Sequence, residues 1–359
     1  MLSLLVERMD PGRIESSVVS LMPEGPLAEK MRRADIPVTS LGWTTRAPSP
    51  SRVATLHSIV TNHRPQVVQG WLPHGNAAAF AAVVGRRKRP ALAWNIRQAV
   101  YNISYESIGT RWLIRGSAFA ARATDSIIYN SAVSASQFES RGYDRRKTQV
   151  IPNGFDVDRF RPDPEARRRI RQELAVVDGL PLIGMVARYH PMKDHETFLL
   201  AAARLIQSGG RARFVLVGSG VDRENAILVR RLNELHLQDD VQLLGERSDV
   251  ISIYSALDIA TLSSYTESFP NVVGEAMACA VPCVATDVGD AATIIADTGR
   301  LAPTRSPHAL ARAWRELLDL PAAERILLGT RARSRIASKF SIGRIAALYS
   351  NLYERLANR

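Results

Sequence analysis

Two carboxylates, Glu267 and Glu275, stand eight positions apart in the stretch ESFPNVVGEAMA. The spacing of the apolar residues after the Phe-Pro step predicts a helix from Asn271 to Cys279, which leaves Glu267 in the preceding loop and Glu275 in the second helical turn. Ahead of them LDIATL reads as a strand that ends at Ser263-Ser264. In open parallel sheets ligands collect beyond the carboxyl ends of strands, where free amides at helix N-termini attract anions. Two carboxylates beside such a helix start suit the hydroxyls of a sugar and a ribose, while the amides hold phosphate. The plainer reading is an acid near a helix start and a solvated helix carboxylate, complementing the helix dipole.

A second stretch, ARYHPMKDHETF, follows the strand PLIGMVA and puts Arg188 and Lys193 in a loop just before a helix that starts at His195. Two fixed cations there can neutralise a diphosphate, the guanidinium matching paired oxygens. Alone, an Arg and a Lys five positions apart carry little weight; with Glu267 and Glu275 at the end of another strand they compose one site. In VGSG, Gly218 has two readings: close backbone approach to a nucleotide, or a tight strand-to-helix turn. Asp156 and Asp158 lie in a Pro-rich linker, which argues against a metal-binding pair, and neither a metal nor another cofactor is expected. Cys279 and Cys283, the two cysteines, read as small core hydrophobes.

These residues need strands and helices to hold them. Short β-branched runs bounded by Gly, Pro or Asp alternate with amphipathic stretches along nearly the whole chain, the pattern of parallel α/β architecture. In the second half the strands are expected at 181–187, 213–218, 241–245, 257–262 and 282–287, with helices over 195–207 and 222–235. The first half repeats this more loosely, with strands near 17–21, 67–70, 92–96 and 126–129. Two doubly wound sheets follow, a domain of 1–160 and one of 161–340, divided at the Pro-rich VIPNGFDVDRFRPDP. The segment 341–359 forms an amphipathic helix expected to pack back on the first domain. The opening is unusual: residues 1 to 10 already look helical, so a first strand and its Gly-rich turn are expected to be missing.

The chain has 359 residues with 46% hydrophobic and 23% charged side chains, enough for two cores, and no apolar run long enough to span a membrane. A cytoplasmic location is expected, extending to the inner face of the cell membrane. Net charge is +12 and uneven: residues 1–163 carry 22 Lys/Arg against 13 Asp/Glu, the remainder 25 against 22. Clusters such as Arg86 to Arg89 and Arg145 to Lys147 attract an anionic membrane or a phosphorylated ligand, or form a solvated basic surface. Nucleic acid is not an expected partner, because the aromatics do not interleave with the basic clusters.

The stretches ARYHPMKDHETFLLAAARL, FVLVGSG, VQLLGERSDV and SSYTESFPNVVGEAMACAVPCVATDVGD, with VIPNGFDVDRF at the linker, resemble the family-4 retaining glycosyltransferases of the GT-B fold. The resemblance covers Asn95 to Arg359 and, more weakly, the region before it. It implies two Rossmann-like domains facing a cleft and transfer of a hexose from a nucleotide-sugar donor, without metal and with retention of configuration. It implies donor diphosphate contact for Arg188 and Lys193, sugar hydroxyl contact for Glu267 and ribose contact for Glu275. The backbone of Phe269, Pro270, Asn271 and Val272 would meet phosphate and sugar, and the Arg247 segment would border the base. Where many members carry a His after the strand matching LAWNI, this chain offers Arg97; His74 in GWLPHGN is the other acceptor-side candidate, against the commoner structural role of a lone His. The implied pathway is cell-surface or exported polysaccharide synthesis, with a lipid-linked or oligosaccharide acceptor and peripheral membrane contact through the basic first domain. Two alternatives stay open: a GT-B nucleotide-sugar epimerase, and an inactive or truncated remnant that only binds the nucleotide sugar.

Overall fold

β-Branched runs too short to form helices pair as parallel strands, and the amphipathic stretches between them return the chain across the sheet. The computed structural model describes residues 1–44, 49–100 and 108–359, and the chain divides into two units: Met1–Gly154 with Ile342–Arg359, and Phe155–Ser341.

Unit 1 opens with α1 (Leu2–Glu7), β1 (Val18–Ser20), α2 (Pro26–Arg32), β2 (Val38–Ser40) and α3 (Pro50–His63). It continues with β3 (Val67–Trp71), α4 (Leu72–Val83), β4 (Ala91–Ile96), α5 (Ile108–Ala120), β5 (Ser126–Tyr129), α6 (Ala132–Glu139) and β6 (Thr148–Val150). Strands β3 to β6 form a four-stranded parallel sheet in sequence order, while β1 and β2 pair only with each other. The short β2 and β6 lie outside the strands expected from sequence.

Unit 2 comprises α7 (Pro164–Glu173), β7 (Leu182–Val186), α8 (His195–Gln207), β8 (Arg213–Val217), α9 (Ala226–Glu234), β9 (Val241–Leu243) and α10 (Val250–Ala256). Next come β10 (Ile259–Leu262), α11 (Asn271–Ala278), β11 (Cys283–Thr286), α12 (Ala291–Ile295), β12 (Gly299–Ala302), α13 (Pro307–Leu318) and α14 (Ala322–Phe340). Its six parallel strands run in the order β12-β11-β10-β7-β8-β9. The chain winds one way from β7 to β9 and the other way from β10 to β12, so the strand order reverses between β7 and β10. Both faces of the sheet are covered, and alternate residues serve each: Leu182, Val215 and Val217 join one cluster, Ile183, Met185, Phe214 and Leu216 the other. On the second face Trp314 packs its ring 5.1 Å from Phe198 and donates its indole N–H to Thr261 at 2.9 Å.

The last helix, α15 (Ile342–Ala357), belongs to unit 1. Its stripe of Ile345, Tyr349, Leu352 and Leu356 is buried with Leu5 and Met9 on one side and Ala93 and Ile128 of the sheet on the other. Burying each such side chain stabilises by roughly 1.5–3 kcal/mol, which accounts for the return.

Several boundaries differ from the sequence reading, and three of them have a clear local reason. The units divide at Gly154, six residues before the expected 160, because the Phe155 ring is already buried in the core of unit 2. Helix α9 starts at Ala226 rather than 222, since the Asn225 side chain accepts the amides of Ile227 and Leu228 and so fixes the N-cap. Strand β10 begins at Ile259 because Leu257 still closes α10.

Candidate functional site

The reversal of strand order places the carboxyl ends of β7 and β10 side by side, with Ile259 in register with Ile183. An open parallel sheet has its crevice at such a point. The loop after β7 carries Arg188 and Lys193, and the loop after β10 carries Glu267, so topology brings together residues some seventy positions apart.

The two loops are stitched to each other. Ser263 donates its hydroxyl to the carbonyls of Lys193 and Asp194 at 2.9 and 3.0 Å, and the Tyr265 amide donates to Met192 O at 3.1 Å. Lys193 Nζ meets Glu267 Oε1 at 2.5 Å, and the Ser264 hydroxyl donates to the same oxygen at 2.9 Å. Both members of this pair are mostly buried, with side-chain exposures of 23% and 16%. Arg188, in contrast, is exposed and its side chain has no hydrogen-bond or ion-pair partner among the described residues. A buried, oriented cation and a free one therefore stand at one strand end.

Two glycines and a hydroxyl fix the loop backbones. At Gly218 φ is +151°, and an added Cβ would lie 2.2 Å from Ala187 O, so the β8 turn can pass the β7 loop only without a side chain. That supplies a structural reason for Gly218, the tight-turn half of the sequence reading. At Gly289 (φ +53°) an added Cβ would lie 2.3 Å from Ser268 O and 2.6 Å from Glu267 O, and the Asp290 amide donates to Ser268 O at 3.0 Å. Thr286 braces the same loop through its hydroxyl on Ser264 O at 2.5 Å.

Helix α11 begins directly after this loop. Pro270 is its N-cap and offers no side-chain cap, and Phe269 and Pro270 are buried at the helix start. Glu275, in the second turn, accepts the Tyr254 hydroxyl at 3.1 Å. Burial raises the Glu275 pKa, opposed by the Tyr254 hydrogen bond and the charge of Arg159. A carboxylate raised in this way favours the fold while it is neutral, and that contribution is lost as pH rises through its folded pKa. Glu275→Gln, which keeps an acceptor for Tyr254, is therefore expected to raise Tm at about pH 8 and to leave it unchanged at about pH 4; thermal melts at the two values check this, and an equal shift at both would contradict it.

His195, the first residue of α8, is buried, and burial lowers its pKa to about 4, so it is a neutral ring at pH 7, 5.4 Å from Tyr189. The Arg247 guanidinium is bound by Asp249 (2.8 and 2.9 Å) and Glu173 (2.5 and 3.3 Å), so carboxylates of the chain itself satisfy it and only its backbone segment is left to meet a ligand. Asp156 accepts the amides of Asp158 and Arg159, which gives the DVD stretch a turn-forming role.

In unit 1, Arg97 lies just beyond β4 with its guanidinium 4.6 Å above the Trp71 ring. It donates to Asn153 and, at 3.4 Å, to the Tyr349 hydroxyl, which in turn accepts from Asn95 at 2.7 Å. Burial lowers its pKa, and its hydrogen-bond partners Asn95, Asn153 and Tyr349 are all neutral, so a cation sits half-buried among neutral groups. His74 is half-buried in the first turn of α4. Sequence reasoning did not single out Ser263, Ser264, Tyr254 or Thr286; the Ser-Ser pair directly after a strand was the available signal, since serines there satisfy a neighbouring loop's carbonyls.

Two family models match: "Glycosyltransferase Family 4" over residues 3–159 and "Glycosyl transferases group 1" over residues 180–320. Among curated proteins, the D-inositol 3-phosphate glycosyltransferase of Nocardia farcinica is 35% identical over 182 residues, covering 48% of this chain and 40% of that protein. The protein of the same name from Kineococcus radiotolerans is 34% identical over 236 residues, covering 60% and 53%. The chain thus spans about half the length of the curated relatives it matches. Among solved structures, Anabaena HepE in complex with UDP and glucose superposes with a TM-score of 0.80 at 22% identity, covering 99% of this chain and 95% of that one. Sucrose-phosphate synthase from Thermosynechococcus elongatus gives 0.79 at 21%, covering 98% and 91%.

Proposed function

The chain belongs to the family-4 glycosyltransferases of group 1, on the GT-B fold, and from that membership we propose that it moves a hexose from a nucleoside-diphosphate donor to an acceptor hydroxyl with retention of configuration. The observation that carries this reading is the Lys193–Glu267 pair between β7 and β10, with the free Arg188 and the uncapped start of α11 beside it. Arg188, Lys193 and the amides of Asn271 and Val272 hold the diphosphate, with the backbone of Phe269 and Pro270 closing over it. Glu267, oriented by Lys193 and Ser264, accepts a sugar hydroxyl. Glu275 accepts ribose hydroxyls, the Gly218 turn and the Arg247 segment border the nucleotide, and no metal is needed. UDP is the first nucleotide to test, because the Anabaena neighbour is described with UDP.

The reaction that fits this arrangement is front-face transfer. The bond between the anomeric carbon and the diphosphate oxygen breaks, leaving the electron pair on that oxygen; the acceptor oxygen forms its bond on the same face and its proton passes to the departing oxygen. The protein's task is to stabilise charge on the leaving group, which cations and helix amides do without rearranging. On the acceptor side we place His74 and Arg97. A half-buried guanidinium bound only by neutral groups suits an acceptor that carries phosphate, such as the inositol phosphate in the relatives' names or a lipid-linked saccharide of a surface polysaccharide. The second of these would bring the basic unit 1 to the cytoplasmic face of a membrane.

Calorimetric titration with a panel of nucleotide sugars, with product analysis for each acceptor class, tests this. Saturable binding of a donor is expected, weakened at least about tenfold by Arg188→Ala and by Glu275→Gln. A folded chain that binds no donor would overturn the proposal in favour of an inactive remnant. Conversion of the donor itself to its epimer would favour the epimerase.

A further inference from the structure

A cavity of about 720 Å³ opens in unit 1 where β3 and β4 begin, at the opposite end of those strands from Trp71 and Arg97. Six cations line it, Arg64, Arg86, Arg87, Lys88, Arg89 and Arg359, against one carboxylate, Asp125. Asp125 is already committed: Arg89 binds it at 2.6 and 3.2 Å, Arg359 at 3.4 Å and the Leu92 amide at 2.7 Å. These contacts outweigh burial and hold its pKa below the usual range. Arg86 has structural work as well, donating to the Ala82 carbonyl near the end of α4, to the His57 carbonyl within α3 and to Thr61.

The other three cations have no such work. Arg64, Arg87 and Lys88 are exposed, and their side chains hold no hydrogen-bond or ion-pair partner among the described residues. Arg64 adds a second observation: it caps α3 at φ 46°, ψ 49°, in the left-handed region, where Gly is the inexpensive residue and an L side chain costs about 1 kcal/mol. A long cation is held there at conformational cost, on the rim of a concave site whose like charges reinforce one another's field.

We propose that this cavity binds a small soluble anion carrying two or more phosphate groups. One phosphate leaves much of this positive excess unbalanced, whereas a diphosphate or polyphosphate offsets more of it and can bridge the free cations. The volume lies in the range of small-ligand sites, roughly 300–1,000 Å³. Concavity favours such a ligand over a bilayer, which is a flat surface and needs apolar anchors beside the basic ones.

Sodium pyrophosphate titrated calorimetrically into the full chain carrying Arg188→Ala and Lys193→Ala, so that the donor loop is disabled, tests the proposal separately from the transferase reading. Saturable binding is expected, tighter than for inorganic phosphate and weakened by added salt. Adding Arg87→Glu and Lys88→Glu, both at exposed positions, should weaken it at least about tenfold. Arg64→Gly should weaken it severalfold while Tm holds or rises, a combination that a merely structural arginine would not produce. Absence of saturable pyrophosphate binding, or binding indifferent to the charge reversal, overturns the site. So does capture of the native chain by phosphatidylglycerol vesicles, and not by phosphatidylcholine vesicles, through Arg87 and Lys88 without pyrophosphate binding; that would assign the patch to a membrane surface.

Discussion

Lys193→Ala is expected to lower kcat/KM for sugar transfer by about a hundred- to a thousandfold while the protein stays folded. The proposed chemistry places a developing negative charge on the departing diphosphate, and removing one preorganised donor to such a charge costs roughly 3–4 kcal/mol of transition-state stabilisation. The ground-state loss is smaller. Glu267 loses its cation but keeps the Ser264 hydroxyl at 2.9 Å, so the cost in stability is on the order of 1–2 kcal/mol. Steady-state kinetics beside a thermal melt separates the two effects. Because the interaction strengthens in the transition state, kcat should fall by more than KM rises. A loss confined to KM would assign Lys193 to ground-state binding, and a change under about threefold would remove it from the reaction.

Glu267→Gln completes the comparison, since it keeps the shape of the loop and takes away the charge that Lys193 faces. If the carboxylate's work is to orient the lysine as well as to hold a hydroxyl, this variant loses activity without gaining the melt shift expected for Glu275→Gln. The distinction rests on environment: Glu275 is raised by burial and bound by one phenol, whereas Glu267 sits against a cation and a hydroxyl.

The side of the site proposed to hold the donor was legible in the sequence because its signals are local. Each loop follows a β-branched run bounded by Gly or Ser, and α11 and α8 carry strong helical spacing, so strand end, loop and helix start could be placed to within two residues. The pairing of β7 with β10 was not local. It depends on the order β12-β11-β10-β7-β8-β9, which no single stretch encodes, and only that order makes neighbours of Lys193 and Glu267. The braces were invisible for the same reason: Ser263, Thr286 and Gly289 act on backbone atoms of other loops.

Unit 1 was harder to read. Its strands β2 and β6 have three residues each, too few for an alternating pattern to show. Arg97 looked like a simple exchange for a His; its surroundings of Trp71, Asn153 and Tyr349 come from a strand end, the linker and the final helix, which are up to 252 positions away. Arg247 shows the opposite limit. The family resemblance singled out its segment, but two nearby carboxylates decide what the guanidinium itself binds.

Gly274→Ala is expected to destabilise unit 2 by about 3 kcal/mol or more, although the exchange would favour an isolated helix by up to about 1 kcal/mol. An added Cβ would lie 2.1, 2.4 and 2.6 Å from Cζ, Cε2 and Cε1 of Phe155. That ring has little room to retreat. It is buried, stacks on Phe269 with centroids 6.2 Å apart, and Phe269 in turn meets Phe340 at 5.9 Å. The Phe155 backbone is also held by a hydrogen bond to Phe340 O at 2.8 Å. Relief therefore requires α11 to shift, and α11 carries Glu275 one residue further on and the Phe269–Val272 segment at its start, so donor affinity should fall along with Tm. Gly343→Ala is the control: it is helical and exposed, with open space around the new methyl, and its effect should stay within about 1 kcal/mol. Denaturant unfolding of the two variants checks the contrast. Equal stabilities would mean that the Phe155 ring yields freely and that the aromatic stack does not hold α11 in place.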